Sequence, residues 1–126
     1  MQWVDNELEI IGPKELVSDF LTSNGTGFCF NKIKPIPKEF LNKNQCCWEI
    51  WTEENWGVEW DIQPTDFILN KVYFRTYPTH PIPLIKHLSL KHPLLTFSLS
   101  TKDNLGHNAN FSFVGGFDFY KLLLRM

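Results

Sequence analysis

Apolar and polar positions alternate from Trp3 to Ile11: Val4, Asn6, Leu8 and Ile10 fall on one side, and Asp5, Glu7 and Glu9 on the other. A period of two predicts a strand with one buried and one acidic face. Gly12-Pro13 stops it, and Leu16, Val17, Phe20 and Leu21 then recur at three- and four-residue spacing, which predicts a short amphipathic helix from Pro13 to Leu21. The polar run Ser23-Asn24-Gly25-Thr26-Gly27 closes that helix, and Phe28-Cys29-Phe30 reads as a short strand. Pro35 and Pro37 interrupt regular structure, with one helical turn expected from Lys38 to Asn42. Gln45 to Glu54 predicts a second short helix with Trp48, Ile50 and Trp51 partly buried, left through a turn at Asn55-Trp56-Gly57.

Farther on, Val72 to Tyr77 is rich in strand formers, with Val72, Phe74 and Thr76 on one face and Tyr73, Arg75 and Tyr77 on the other. Thr79-His80-Pro81-Ile82-Pro83 leads into a helix whose apolar side is Ile82, Ile85 and Leu88, ended by Pro93. Leu94 to Thr101 alternates as a strand, Asp103 to Gly106 is a hairpin turn, and Asn108 to Val114 returns with Ala109, Phe111 and Phe113 on one face. Gly115-Gly116 breaks it before an apolar tail from Phe117 to Met126.

The order is strand, helix, strand, an inserted Trp-rich helical segment, strand, helix, strand and a hairpin partner. Two βαβ units in one antiparallel sheet predict a single α+β domain over 1–126 with a ferredoxin-like arrangement and two helices on one face. The opposite face would then carry Asp5, Glu7, Glu9, Tyr73, Arg75, Tyr77, Thr96, Ser98 and Ser100.

Composition changes this picture little. A hydrophobic fraction of 43% against 21% charged residues predicts a globular chain rather than a disordered one. A net charge of −2 supplies no positive field to gather phosphate or anionic lipid. Cys29, Cys46 and Cys47 make no disulfide framework and read as reduced thiols, which points to the cytoplasm. The opening Met-Gln-Trp-Val-Asp lacks the pattern of a secretory leader, and no apolar run reaches membrane-spanning length, so no membrane partner is expected.

Candidate chemistry gathers between Cys46 and Asp61. Trp48, Trp51, Trp56 and Trp60 alternate there with Glu49, Glu53, Glu54, Glu59 and Asp61. Aromatic anchors rimmed by charge suit a protein-binding hot spot, but roofing the core across the long connection is the weightier reading of the same rings. Asp5, Glu7 and Glu9, about 7 Å apart along one strand face, form an acidic stripe suited to a basic protein patch. Its other reading is a solvated face with Arg75 paired across strands. Phosphate would meet carboxylates on that sheet, so a nucleic-acid partner is disfavoured. His80, His87, His92 and His107 lack metal-ligand spacing and read as surface histidines, and no cofactor fingerprint appears. Nucleophilic catalysis has no anchoring motif, although Glu59 and Asp61 could serve acid–base work.

Asn55-Trp56-Gly57-Val58-Glu59-Trp60-Asp61 resembles the Asn-Trp-Gly-Thr-Lys-Trp-Asp motif of the YubB ferredoxin-like domain proteins, small proteins of plasmids, phages and integrative elements without an assigned function. Trp3, Asn6, Leu8, Ile10 and Gly12 at the start, the Phe30-Asn31-Lys32-Ile33 run with Pro35 and Pro37, Phe74-Arg75-Thr76, Leu88-Ser89 with Pro93, and Asn110-Phe111 with Gly115 are also similar to that family. Val58, Glu59 and Tyr77-Pro78 depart from it, so a role for the family's usual lysine does not carry over. The resemblance implies the ferredoxin-like fold and a mobile-element origin, and it supplies no chemistry. The reading is a non-catalytic protein-binding module, with inhibition of a host defence complex as its specialisation. Its expected contacts are Asp5, Glu7, Glu9, Tyr73, Arg75, Tyr77, Glu53, Glu54, Trp56, Glu59 and Asp61, facing a basic patch. The alternatives are a small hydrolase or nucleotide-handling enzyme with a pocket between the Trp segment and the sheet, and a nucleic-acid module.

Overall fold

The computed structural model describes residues 2–41 and 45–118. The end of the one-turn helix at Asn42, the thiols of Cys46 and Cys47, and the tail beyond Asp118 lie outside the described residues. Strand β1 (Val4–Ile11) runs through the middle of a five-stranded antiparallel sheet, between β2 (Lys71–Thr76) and β3 (Thr96–Asp103). Beyond β3 come β4 (Asn108–Val114) and the two-residue β5 (Phe117–Asp118), giving the order β2-β1-β3-β4-β5. The chain is thus α+β.

The alternation of β1 does what its period requires. Val4, Asn6, Leu8 and Ile10 are buried while Asp5, Glu7 and Glu9 turn to the opposite face. Val72 and Phe74 on β2, and Phe97 and Leu99 on β3, continue the same apolar surface. Helix α1 (Lys14–Asn24) lays Phe20 onto it, with Leu16, Val17 and Leu21 packed around. Helix α5 (Ile82–Lys91) crosses from β2 to β3 and adds Leu84, Ile85 and Leu88. Each of these fully buried side chains contributes about 1.5–3 kcal/mol. The buried Asn6 amide donates to Val4 O, Phe74 O and Thr76 Oγ1 at 3.1–3.3 Å, tying β1 to β2.

Three expectations need correction. Phe28 to Phe30 adds no strand to the sheet. Phe28 makes an isolated bridge with Thr65, and Phe30 opens the short helix α2 (Phe30–Ile33). The cause is Asp61, whose carboxylate accepts the Phe30 and Asn31 N–H groups at 2.7 and 2.9 Å and so favours a helical start. Only one of the two expected crossover units therefore builds the sheet, the one formed by β2, α5 and β3. Next, α3 (Lys38–Leu41) and α4 (Gln45–Asn55) form as expected, yet Ile50 is 55% exposed, because Trp51 takes the side packed against the core. Finally, His80, His87 and His92 are half-buried rather than on the surface. His80 packs edge-on to Phe111 and His92 edge-on to Phe20.

Candidate protein-binding surface

The two acidic regions of the sequence end in different electrostatic settings. On β1 the register sets each carboxylate between defined neighbours: Asp5 between Arg75 and Lys102, Glu7 between Tyr73 and Ser100, and Glu9 between Lys71 and Ser98. Arg75 grips Asp5 in a forked pair, Nε to Oδ1 at 2.7 Å and Nη2 to Oδ2 at 3.1 Å, and its guanidinium lies 3.8 Å over the Trp3 ring. That hydrogen bond holds the Asp5 carboxyl below its usual range and pushes Arg75 up, with Tyr77 adding to the upward shift. Lys71 reaches diagonally to Glu7 at 3.7 Å, and Asn70 donates to Glu9 at 3.3 Å. The neighbouring Glu7 carboxylate raises the Tyr73 phenol above its ordinary value. Asp5, Glu7 and Glu9 are thus matched by Lys71, Arg75 and Lys102 on the flanking strands. The stripe lies on the central strand and faces outward, with Asp5 and Glu7 ion-paired to Arg75 and Lys71 and Glu9 hydrogen-bonded by Asn70. A shallow depression of about 620 Å³ lies over Asp5 and Glu7.

The Trp segment is built differently. The Trp56 N–H closes onto Thr52 O at 2.7 Å, Gly57 follows at φ +89°, and the chain doubles back over the end of α4. A Cβ at Gly57 would stand 2.6 Å from Pro83 Cδ, so glycine alone fits against the start of α5. The buried Thr52 hydroxyl fixes the return by donating to Glu59 O at 2.9 Å. Glu49 and Glu53 share a face of α4 at a spacing of four, and Glu59 is laid beside them. The Glu53 hydrogen bond, burial, and the Glu49 and Glu53 charges together raise the Glu59 carboxyl above its ordinary value of 4.5. Glu59 thus lies beside like charges from Glu49 and Glu53.

Beside them is a groove of about 350 Å³ lined by Ile36, Leu41, Trp48, Trp56 and Trp60, with Glu59 at its rim. Leu41, Ile50 and Trp60 are 61%, 55% and 48% exposed, so greasy surface stands next to clustered negative charge. Glu53 and Glu54 are exposed nearby. Trp56 is 2% exposed: its ring meets Trp51 and Phe30 edge-on at 5.8 and 5.9 Å, and Nε1–H donates to Lys34 O at 2.9 Å. It belongs to the core and supports the groove from beneath. Asp61 is also structural, since its oxygens accept the Phe30, Asn31 and Ile62 N–H groups. Trp60, which the sequence pattern did not single out as a contact, is the ring left outside. Its place between Glu59 and Asp61 was the available signal.

A third depression, about 490 Å³, lies between Trp60–Thr65 and Tyr73–Tyr77, where the enzymatic alternative put its pocket. Its Asp61 caps α2 and its Arg75 is held by Asp5, so its charged groups are already engaged elsewhere. Burial keeps His80, His87 and His92 below their ordinary value of 6.5. Among the described residues no group of three His, Cys, Asp or Glu side chains gathers to hold a metal, and no helix is long and apolar enough to cross a membrane. No protein-family model, curated protein or solved structure matches this chain.

Proposed function

We propose that this chain is a non-catalytic protein-binding module whose docking face is the groove of the Trp segment and the carboxylates of Glu53, Glu54 and Glu59. The observation that carries the reading is the contrast between the two acidic regions. The β1 stripe is balanced in register by Lys71, Arg75 and Lys102, whereas Glu59 sits among like charges beside exposed Trp60, Ile50 and Leu41. Aromatic and aliphatic anchors supply affinity once desolvated, and the carboxylates steer a basic partner patch into place. The sheet face around Tyr73, Arg75 and Tyr77 is the secondary contact.

The resemblance of Asn55–Asp61 to the YubB ferredoxin-like proteins supports a phage or mobile-element origin acting in the host cytoplasm, and inhibition of a host defence complex is the role that origin favours. A ferredoxin-like ancestry is supported by β2-α5-β3 straddling β1, with the strand expected at Phe28 to Phe30 replaced by α2. The test is affinity capture from the natural host, comparing the wild-type chain with Glu53→Lys/Glu59→Lys. Retention of the same partner at the same level by the reversed variant sinks the proposal.

A further inference from the structure

The outer edge of β2 is open, and its surroundings are shaped for a strand. Ile10 N–H donates to Asn70 O at 3.0 Å, so the residues in step with Asn70 (Val72, Phe74 and Thr76) turn their backbone groups to β1. Lys71, Tyr73 and Arg75 turn theirs outward. Lys71 is met by Ile68 in both directions, at 2.8 and 3.1 Å. There the preceding chain peels away: Phe67 N–H goes to Gly25 O, and Thr65 exchanges hydrogen bonds with Phe28. Among the described residues, no backbone group pairs with the outward side of Tyr73 or Arg75. The depression of about 490 Å³ occupies that gap, beside β2 where a second crossover unit would have set its closing strand.

Exposed edges are ordinarily guarded by charged side chains. Here the guards are drawn back over β1, Arg75 onto Asp5 and Lys71 toward Glu7. Trp60 and Asp61 line both this depression and the Trp groove, so the two adjoin at Trp60, with Glu59 on the groove side. We infer that the β2 edge takes up an extended, lysine- or arginine-bearing peptide segment of a partner protein as an added strand. The segment bonds the outward N–H and C=O groups of Tyr73 and Arg75, and one of its basic side chains lies by Trp60 against Glu53 and Glu59. This rests on the protein-binding reading above and specifies its partner.

The probe is a synthetic peptide of alternating Lys and Val, about six residues long to match a typical strand, titrated into the full chain with tryptophan emission as readout. A Glu/Val peptide and a Lys/Val peptide N-methylated at alternate backbone nitrogens are the controls. The Lys/Val peptide should saturate, the Glu/Val peptide should bind at least about tenfold more weakly, and N-methylation should abolish binding without any change to the protein. Tyr73→Pro, which removes an outward N–H at a position where an edge strand tolerates proline, should do the same. Equal binding of the methylated peptide, equal binding of the acidic one, or no binding of the Lys/Val peptide overturns the inference. Loss of partner capture in Glu53→Lys/Glu59→Lys alongside any of those results leaves the docking face standing and removes strand addition alone. A concentration-dependent dimer in sedimentation that Tyr73→Pro abolishes would assign the edge to a second copy and also overturn it.

Discussion

Replacing Trp56 with alanine tests whether the Trp segment is anchored as described. The ring is 2% exposed, meets Trp51 and Phe30 edge-on, and donates to Lys34 O. Truncating a buried tryptophan costs about 3–5 kcal/mol, transfer and cavity together. The two edge-on ring pairs, at about 0.5–1.5 kcal/mol each, fall within that figure rather than adding to it. Against a total stability of about 5–15 kcal/mol for a domain, the loss leaves a marginal protein. Urea titration followed by far-ultraviolet circular dichroism should show a much lower midpoint at unchanged slope. Trp60→Ala is the internal comparison: with the ring 48% exposed, it should stay within about 1 kcal/mol of wild type. Equal midpoints for the two variants, or a larger loss for Trp60→Ala, would refute the division of the segment into a buried anchor and an exposed contact.

Asp61→Ala should cost about 1–2 kcal/mol by uncapping α2, read as a lower urea midpoint; no change would mean that the carboxylate does not set that turn. Glu59 is raised above 4.5 in the folded state, so the folded chain holds its proton more tightly than the unfolded chain does. Its penalty is therefore present above the raised value and vanishes as pH falls through it toward 4.5. Glu59→Gln should accordingly melt higher than wild type at pH about 7, with the difference closing by pH about 4; a gap that widens in acid contradicts the crowding. His92 has the opposite linkage sign. Burial, aided by Lys91, lowers it below 6.5, so its contribution is complete above 6.5 and is lost as pH falls through the lowered value. His92→Phe should flatten the stability profile below pH about 6.5, and an unchanged profile would remove burial of that ring as its cause.

The period-two stretches were the most legible part of the chain. Val4 to Ile11 and its neighbours placed the apolar face and the outward carboxylates correctly, because side-chain alternation is imposed by the backbone whatever the partner strand. Phe28 to Phe30 misled, since strand-forming residues there answer to a carboxylate 31 positions away in sequence, Asp61 on Phe30. No local pattern carries that information. The pairing of Asp5, Glu7 and Glu9 with neighbouring side chains was half visible. Arg75 was a foreseeable partner of Asp5, but the approach of Lys71 to Glu7 and the placing of Lys102 beside Asp5 depend on registers fixed only by folding. The Trp segment was legible as an aromatic cluster and not as a division of labour. Which ring is buried follows from the return of the chain at Gly57, and that return set Trp56 beneath the groove and Trp60 outside it.

The proposed docking carboxylates lie on the Trp segment rather than on the sheet. That placement is tested most directly by isothermal titration of the purified, captured partner against two charge-reversed forms of this chain. Glu53→Lys/Glu59→Lys should weaken the complex by about tenfold or more, about 1.4 kcal/mol, while Glu7→Lys/Glu9→Lys should stay within about twofold of wild type. The reverse order of effects, or equal losses from both, would contradict the account.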